Sequence, residues 1–200
     1  MTDIAPSRLA EEEGGDKGEA ALSMRALKTR AIFAFGEVND RMHRRIATAL
    51  ILMQQDDDKS PITVYVNSPG GSADSGFAIF DMLRFVKPPV RTICDGLCAS
   101  AGVLIYLAAP RERRFCTPNS RFLLHQPSTQ MMGSASDIEI NANEILRLRE
   151  CYNRIVADET GKTLEGVTKD ADRDFWLTSG QALEYGLVGK ITKAFSELEK

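Results

Sequence analysis

Apolar and polar positions alternate along the chain with two periods, and the switches between them divide it into strands and helices. Residues 31–35 (AIFAF) form a short β-rich run ended by Gly36. The period then lengthens. Met42, Ile46, Leu50 and Met53 fall on one helical face behind the cap candidates Asn39 and Asp40, and DDDKSP breaks the helix. ITVYV (62–66) is a β-branched strand and NSPGGS (67–72) a turn. Residues 73–86 make a second helix with Phe77, Phe80, Leu83 and Val86 three apart, closed by Lys87-Pro88-Pro89. VRTIC (90–94) is a third strand, after which CDGLCASAGVLI (94–105) turns into a helix through Leu107. RFC (114–116) and RFLLH (121–125) are two more short strands around TPNS. Strands alternating with helices of this length predict an α/β fold with parallel pairing through right-handed crossovers.

The longest helix is predicted over 136–157, with Ser136 and Glu139 as its capping box and Gly161 as its stop. Ile138, Ala142, Ile145, Tyr152 and Val156 give one apolar stripe, while Ile140, Leu146 and Leu148 lie on other faces. A helix apolar on more than one side buries more than one side, either in its own core or against another subunit. TSGQALEYGLV is a short capped helix ending at Gly186, followed by strand-like VGKI. The pattern shows no internal repeat.

Composition narrows the function classes. The chain has 200 residues, 43% hydrophobic and 26% charged, as expected of one soluble globular domain. With 25 basic against 28 acidic residues it carries no basic field for nucleic acid. No run approaches the roughly 18 uninterrupted apolar residues of a membrane span. The first twenty residues hold six acidic and two basic side chains without an apolar core, so they are not a secretory signal. Residues 1–28 are expected to be a flexible acidic leader, residues 29–200 a single domain, and the setting cytoplasmic. Cys94, Cys98, Cys116 and Cys151 complete no zinc set and read as small buried hydrophobes.

Three features could carry chemistry. In NSPGGS, Gly70 and Gly71 allow backbone N–H groups to point into a cavity, where each donor to a developing oxyanion contributes about 3–4 kcal/mol. Ser100 stands at a strand-to-helix turn, where the Ala101 amide and the positive end of a helix dipole are also available. His125 ends an apolar strand, and imidazole is the side chain best suited to general base work near neutral pH. Each has a plainer reading: a tight turn, a helix N-cap, a satisfied core histidine. His43, among Arg41, Arg44 and Arg45, reads as solvated surface. An orienting carboxylate would complete a Ser-His-acid set. The cluster DADRD (170–174) offers Asp170, Asp172 and Asp174, and spacing alone does not choose among them.

Together these residues resemble the proteolytic subunit of the ATP-dependent Clp protease, from about residue 29 to residue 192. The resemblance is carried by NSPGG, by G-x-x-A-S before an apolar helix, by RFCTPNSRFLLHQP, by ASDIEI and by DRDFWLTSGQALEYGLV, in the family's order. It implies a crotonase-like repeated βαβ superhelix with a protruding handle at about 128–160. Ser100 would be the nucleophile, His125 the general base and Asp174 the orienting acid. Gly71, with Gly70 beside it, and Ala101 would supply the oxyanion amides. Asp172 and Arg173 would be a pair linking ring contact to active-site geometry. No metal or cofactor is implied. The implied assembly is a homo-oligomer, a tetradecamer of two stacked heptamers, fed with unfolded protein and peptides by a Clp-type AAA+ ATPase and independent of nucleic acid and membrane.

The chain departs from the family pattern in three places. Ala101 stands where Met is usual, STQMMGS (128–134) replaces a Gly-rich strand, and the usual aromatic segment before the first strand is not recognisable. Two other readings follow. One is a non-catalytic or regulatory subunit of a mixed ring, against which the intact Ser100, His125 and Asp174 speak. The other is a crotonase-type acyl-CoA enzyme, disfavoured because no acidic residue lies in 98–110 to act as its base.

Overall fold

The computed structural model describes residue 22, residues 25–127 and residues 132–198. Most of the leader and residues 128–131 lie outside the described residues, although 25–28 form a helical turn just ahead of the first strand.

Seven strands form one sheet. β1 (Ala31–Phe35), β2 (Ile62–Ser68), β3 (Val90–Ala99), β4 (Arg114–Cys116) and β7 (Lys190–Ile191) lie side by side in that order, all parallel. β5 (Arg121–Leu124) also runs parallel to β3, and β6 (Phe175–Thr178) pairs with it antiparallel. β3 is therefore the hub. Its first half, Thr92–Cys94, pairs with β4, and its second half, Leu97–Ala99, pairs with β5. Between the halves β3 bulges: Val66 of β2 faces Cys94, but Ser68, two residues on, faces Cys98. The bulge turns the end of β3 toward a different neighbour.

The helices follow the predicted periods. α1 (Asp40–Asp56) starts where the Asn39 side chain accepts the Met42 amide, and it buries Met42, Ile46, Leu50 and Met53 as expected. α2 (Ala73–Phe85) is capped by Ser72 and packs on both α1 and α3 (Ala101–Leu107). Every residue of α3 is buried, so it is the helical centre of the core. Here the small residues find their reason. A Cβ on Gly76 would lie 3.1 Å from the Ala101 Cβ, and one on Gly102 would lie 3.2 Å from the Ser68 Cβ. Cys94, Cys98 and Cys116 are buried hydrophobes, and burial pushes the Cys116 thiol up to about 12.

Three expectations need correction. The long helix, α4, runs Ala135–Thr160, and its capping box is Ser134 with Asp137, two residues before Ser136 and Glu139. Gly161 does end it, at φ 73. Only its C-terminal part packs on the core, through Tyr152, Asn153, Val156, Ala157 and Thr160, whereas Ile138, Ile140 and Leu146 are exposed. α5 (Leu164–Asp170) and β6 were not predicted, because each is short and α5 carries an interior glycine. α6 (Ser179–Tyr185) has the expected cap, Thr178 with Gln181, and ends at Gly186. His43 is half-buried rather than fully solvated.

Candidate active site

Ser100 occupies the N-cap position of α3, yet it does not behave as a cap. Its side chain makes no capping hydrogen bond, and its backbone sits at φ 52, ψ −124. A non-glycine residue held at positive φ is strained, by about 1–3 kcal/mol. The surrounding backbone imposes the conformation. The Ser100 amide donates to the Leu123 carbonyl (2.9 Å), the Val103 amide donates to the Ser100 carbonyl (2.9 Å), and the Tyr152 hydroxyl reaches the same carbonyl (3.4 Å). The turn leaves the Ser100 hydroxyl half-exposed at the rim of a cavity of about 430 Å³. His125, Gly71 and Ala101 line that cavity as well.

The two glycine-rich bends meet here. A Cβ on Gly70 would come within 2.6 Å of the Ser100 Cβ and 3.2 Å of the Ala101 nitrogen, so only glycine lets the backbones approach. The amides of the bend are not equivalent. The Gly70 N–H is taken by the Ser68 hydroxyl at 3.1 Å, which removes it as an oxyanion donor and leaves Gly70 the role of making room. Gly71 forms a parallel bridge with Val38 in which its neighbours make both bonds, Val38 N–H to Gly70 O and Ser72 N–H to Val38 O, each 2.8 Å. In that pattern the Gly71 N–H points away from Val38, and it finds no acceptor among the described residues.

The register of β5 and β6 settles which carboxylate faces the imidazole. Leu124 lies opposite Phe175, so one residue further on His125 lies opposite Asp174. The His125 Nδ1 is 3.5 Å from the Asp174 Oδ1. Asp170 is occupied elsewhere, accepting the Tyr185 hydroxyl at 2.9 Å. Asp172 and Arg173 are exposed, and neither enters an ion pair among the described residues. Gln126 ties the two segments together: its amide donates to Ala171 O and its side-chain nitrogen to Asp172 O, each 2.9 Å. Sequence reasoning passed over Gln126, which follows the imidazole directly and is polar in an otherwise apolar strand end.

The set is loose as it stands. A separation of 3.5 Å exceeds an N–H···O hydrogen bond of about 2.9 Å, and the Asp174 side chain is 65% exposed. The Ser100 hydroxyl makes no hydrogen bond among the described residues. Long contacts of this kind are common in sites without substrate. Chemically, the cavity offers a hydroxyl, an imidazole with a carboxylate beside its Nδ1, and two backbone bends able to receive a negative oxygen.

A parallel α/β sheet with a projecting helix and this set beside a cavity places the chain in the crotonase-like class. Comparison with known proteins narrows that class. The family model described as Clp protease matches residues 15–194. The chain is 48% identical over 171 residues to the ATP-dependent Clp protease proteolytic subunit 3 of Rhizobium etli, covering 86% of this chain and 88% of that one. It is 46% identical over 183 residues to the proteolytic subunit 2 of Treponema denticola, covering 92% of each. A solved ClpP1 variant from Listeria monocytogenes superposes with a TM-score of 0.82 at 40% identity, covering 88% of this chain and 99% of that one. The chain belongs to the Clp protease family. No helix among the described residues is long and apolar enough to cross a membrane.

Proposed function

We propose that this chain is a proteolytic subunit acting as a serine endopeptidase by acyl transfer. Ser100 Oγ attacks the peptide carbonyl while the Nε2 of His125 takes its proton. Asp174, on the Nδ1 side, holds the tautomer and stabilises the imidazolium. The amides of Gly71 and Ala101 receive the oxyanion. His125 then protonates the leaving amine, and water resolves the acyl ester by the same steps in reverse. The observation that carries this reading is the meeting, at one cavity, of a strained and uncapped Ser100, the Gly71 amide and a His125 that faces Asp174.

Assembly belongs to the same reading. Ile138, Ile140 and Leu146 leave apolar side chains exposed on more than one face of the first half of α4. A second ring would cover them if it received that half between its own subunits, as two stacked heptamers require. A Clp-type AAA+ ATPase would feed unfolded chains to the enclosed chamber. Asp172 and Arg173, exposed next to the loose His125–Asp174 contact, would tighten it when rings meet.

The test is Ser100→Ala beside the native chain. Hydrolysis of short fluorogenic peptides should fall by about 10⁶-fold and labelling by a fluorophosphonate probe should vanish. Labelling that persists in Ser100→Ala would remove Ser100 as nucleophile. A native chain that stays unlabelled even in mixed rings with a catalytic paralogue, while raising that paralogue's peptide cleavage, would make it a regulatory subunit.

A further inference from the structure

The cavity beside Ser100 continues between α2 and α4. Its far wall is apolar, formed by Phe77, Leu104, Ile145 and Leu148. Tyr152 also lines it but stays neutral, since burial raises its hydroxyl far above the ordinary range. Among the described residues, the one carboxylate lining this space is Asp74, in the first turn of α2 three residues beyond Gly71. Asp74 is exposed and enters no ion pair among the described residues. Arg147 on α4 lies near enough to feel it, but the Arg147 guanidinium is committed to Glu144 through Nε and Nη2 at 2.6–3.1 Å.

With the substrate oxyanion on the Gly71 and Ala101 amides, the side chain that precedes the scissile bond falls into this space. It must be apolar along its stem to suit Phe77, Leu104, Ile145 and Leu148, and Ala101 contributes little bulk to limit its width. At the rim it meets a carboxylate. Lysine and arginine satisfy both demands, burying the methylene stem while the charged tip stays at the polar edge. We propose that Asp74 is a specificity-determining residue that favours peptides with lysine or arginine immediately before the scissile bond. This rests on the proteolytic reading above. Asp74 also complements the α2 dipole, but that role gives no reason for substrate charge to matter.

The experiment compares peptides differing only at that position, with lysine, with norleucine as its uncharged counterpart of similar length, and with glutamate. The assembled native chain, Asp74→Asn and Asp74→Lys are each titrated with a fluorophosphonate probe so that rates refer to active sites. In the native chain the ratio of kcat/KM for lysine over norleucine should fall about three- to fivefold between low and high salt. In Asp74→Asn that ratio should drop about fivefold and lose its salt dependence, and Asp74→Lys should turn the preference toward glutamate. Cleavage and labelling with a lysine-to-norleucine ratio that Asp74→Asn leaves unchanged overturns the role of Asp74 alone. Absence of both cleavage and labelling from the native chain overturns the proteolytic reading and this inference with it.

Discussion

At the scale of single residues, backbone conformation sets Ser100 apart from the other hydroxyls at helix starts more sharply than residue type does. Asn39, Ser72, Ser134, Thr163 and Thr178 all stand at helix N-termini and all accept a backbone amide there. Ser100 stands at such a position and does not. Nothing in CDGLCASAG distinguishes the two cases, because a hydroxyl before a helix is the ordinary cap signal and the positive φ is imposed by contacts with Leu123 and Gly70. Asp57 shows a carboxylate with a purely structural task. The Ser60 hydroxyl and the amides of Lys59 and Ser60 hold its pKa at about 2, below the ordinary 3.8. A depressed folded-state value contributes stability that is complete above pH 3.8 and is lost as pH falls toward 2. Thermal melts of Asp57→Asn between pH 5 and pH 2 should therefore show a smaller drop in Tm than the native chain, whereas parallel curves would remove the turn as a contributor.

At the scale of elements, α4 is fastened at one end. Its C-terminal turn carries Glu159, which pairs with the fully buried Arg114 and with the more exposed Arg84. Arg114 also donates to the carbonyls of Ala109 (2.7 Å) and Glu159 (2.9 Å), joining β4, the end of α3 and α4. Burial lowers the Arg114 pKa, so the guanidinium needs its partner. Glu159→Ala leaves that charge unpaired and should cost about 3–5 kcal/mol in a urea titration, while Arg84→Ala at the exposed side of the same cluster should cost under about 1 kcal/mol. Equal losses would show that α4 is held by packing instead. The elements with long periodic patterns, α1, α2 and the first three strands, were legible because several turns or alternations repeat the same signal. β6 was not, since FWLT offers four residues after an acidic loop and its pairing with β5 spans more than fifty residues of chain. For the same reason the nearness of Asp174, rather than Asp170 or Asp172, to His125 was hidden: the register that brings them together is a tertiary fact. The resemblance had pointed to Asp174, but the residues by themselves had not.

At the scale of the whole molecule, a single copy leaves much apolar surface in water. Phe85 is 80% exposed, Ile140 66% and Trp176 47%. Patches of this kind on a stable chain mark contacts with other chains. The apolar positions on several faces of α4 announced this in the sequence, although the pattern could not say that the uncovered part would be its first half. Ile138→Glu combined with Ile140→Glu places charges on that half, away from the cavity and from the Arg114–Glu159 anchor. Sedimentation should then show the proposed fourteen-chain particles of the native chain replaced by smaller ones, with peptide hydrolysis falling in step. Full-size particles would mean that other surfaces join the rings.

The divided pairing of β3 has a consequence for how the three chemical groups are held. Serine and imidazole sit on neighbouring parallel strands, fixed by the bond from the Ser100 amide to Leu123, two residues before His125. The carboxylate arrives from the other direction, on the short outer strand β6, which pairs only with β5. A slip of one rung between β5 and β6 would turn Asp174 to the opposite face and leave the other two groups where they are. In the proposed mechanism the acid is thus the detachable member, and anything that grips the outer strand would act on the imidazole's partner while leaving Ser100 in place.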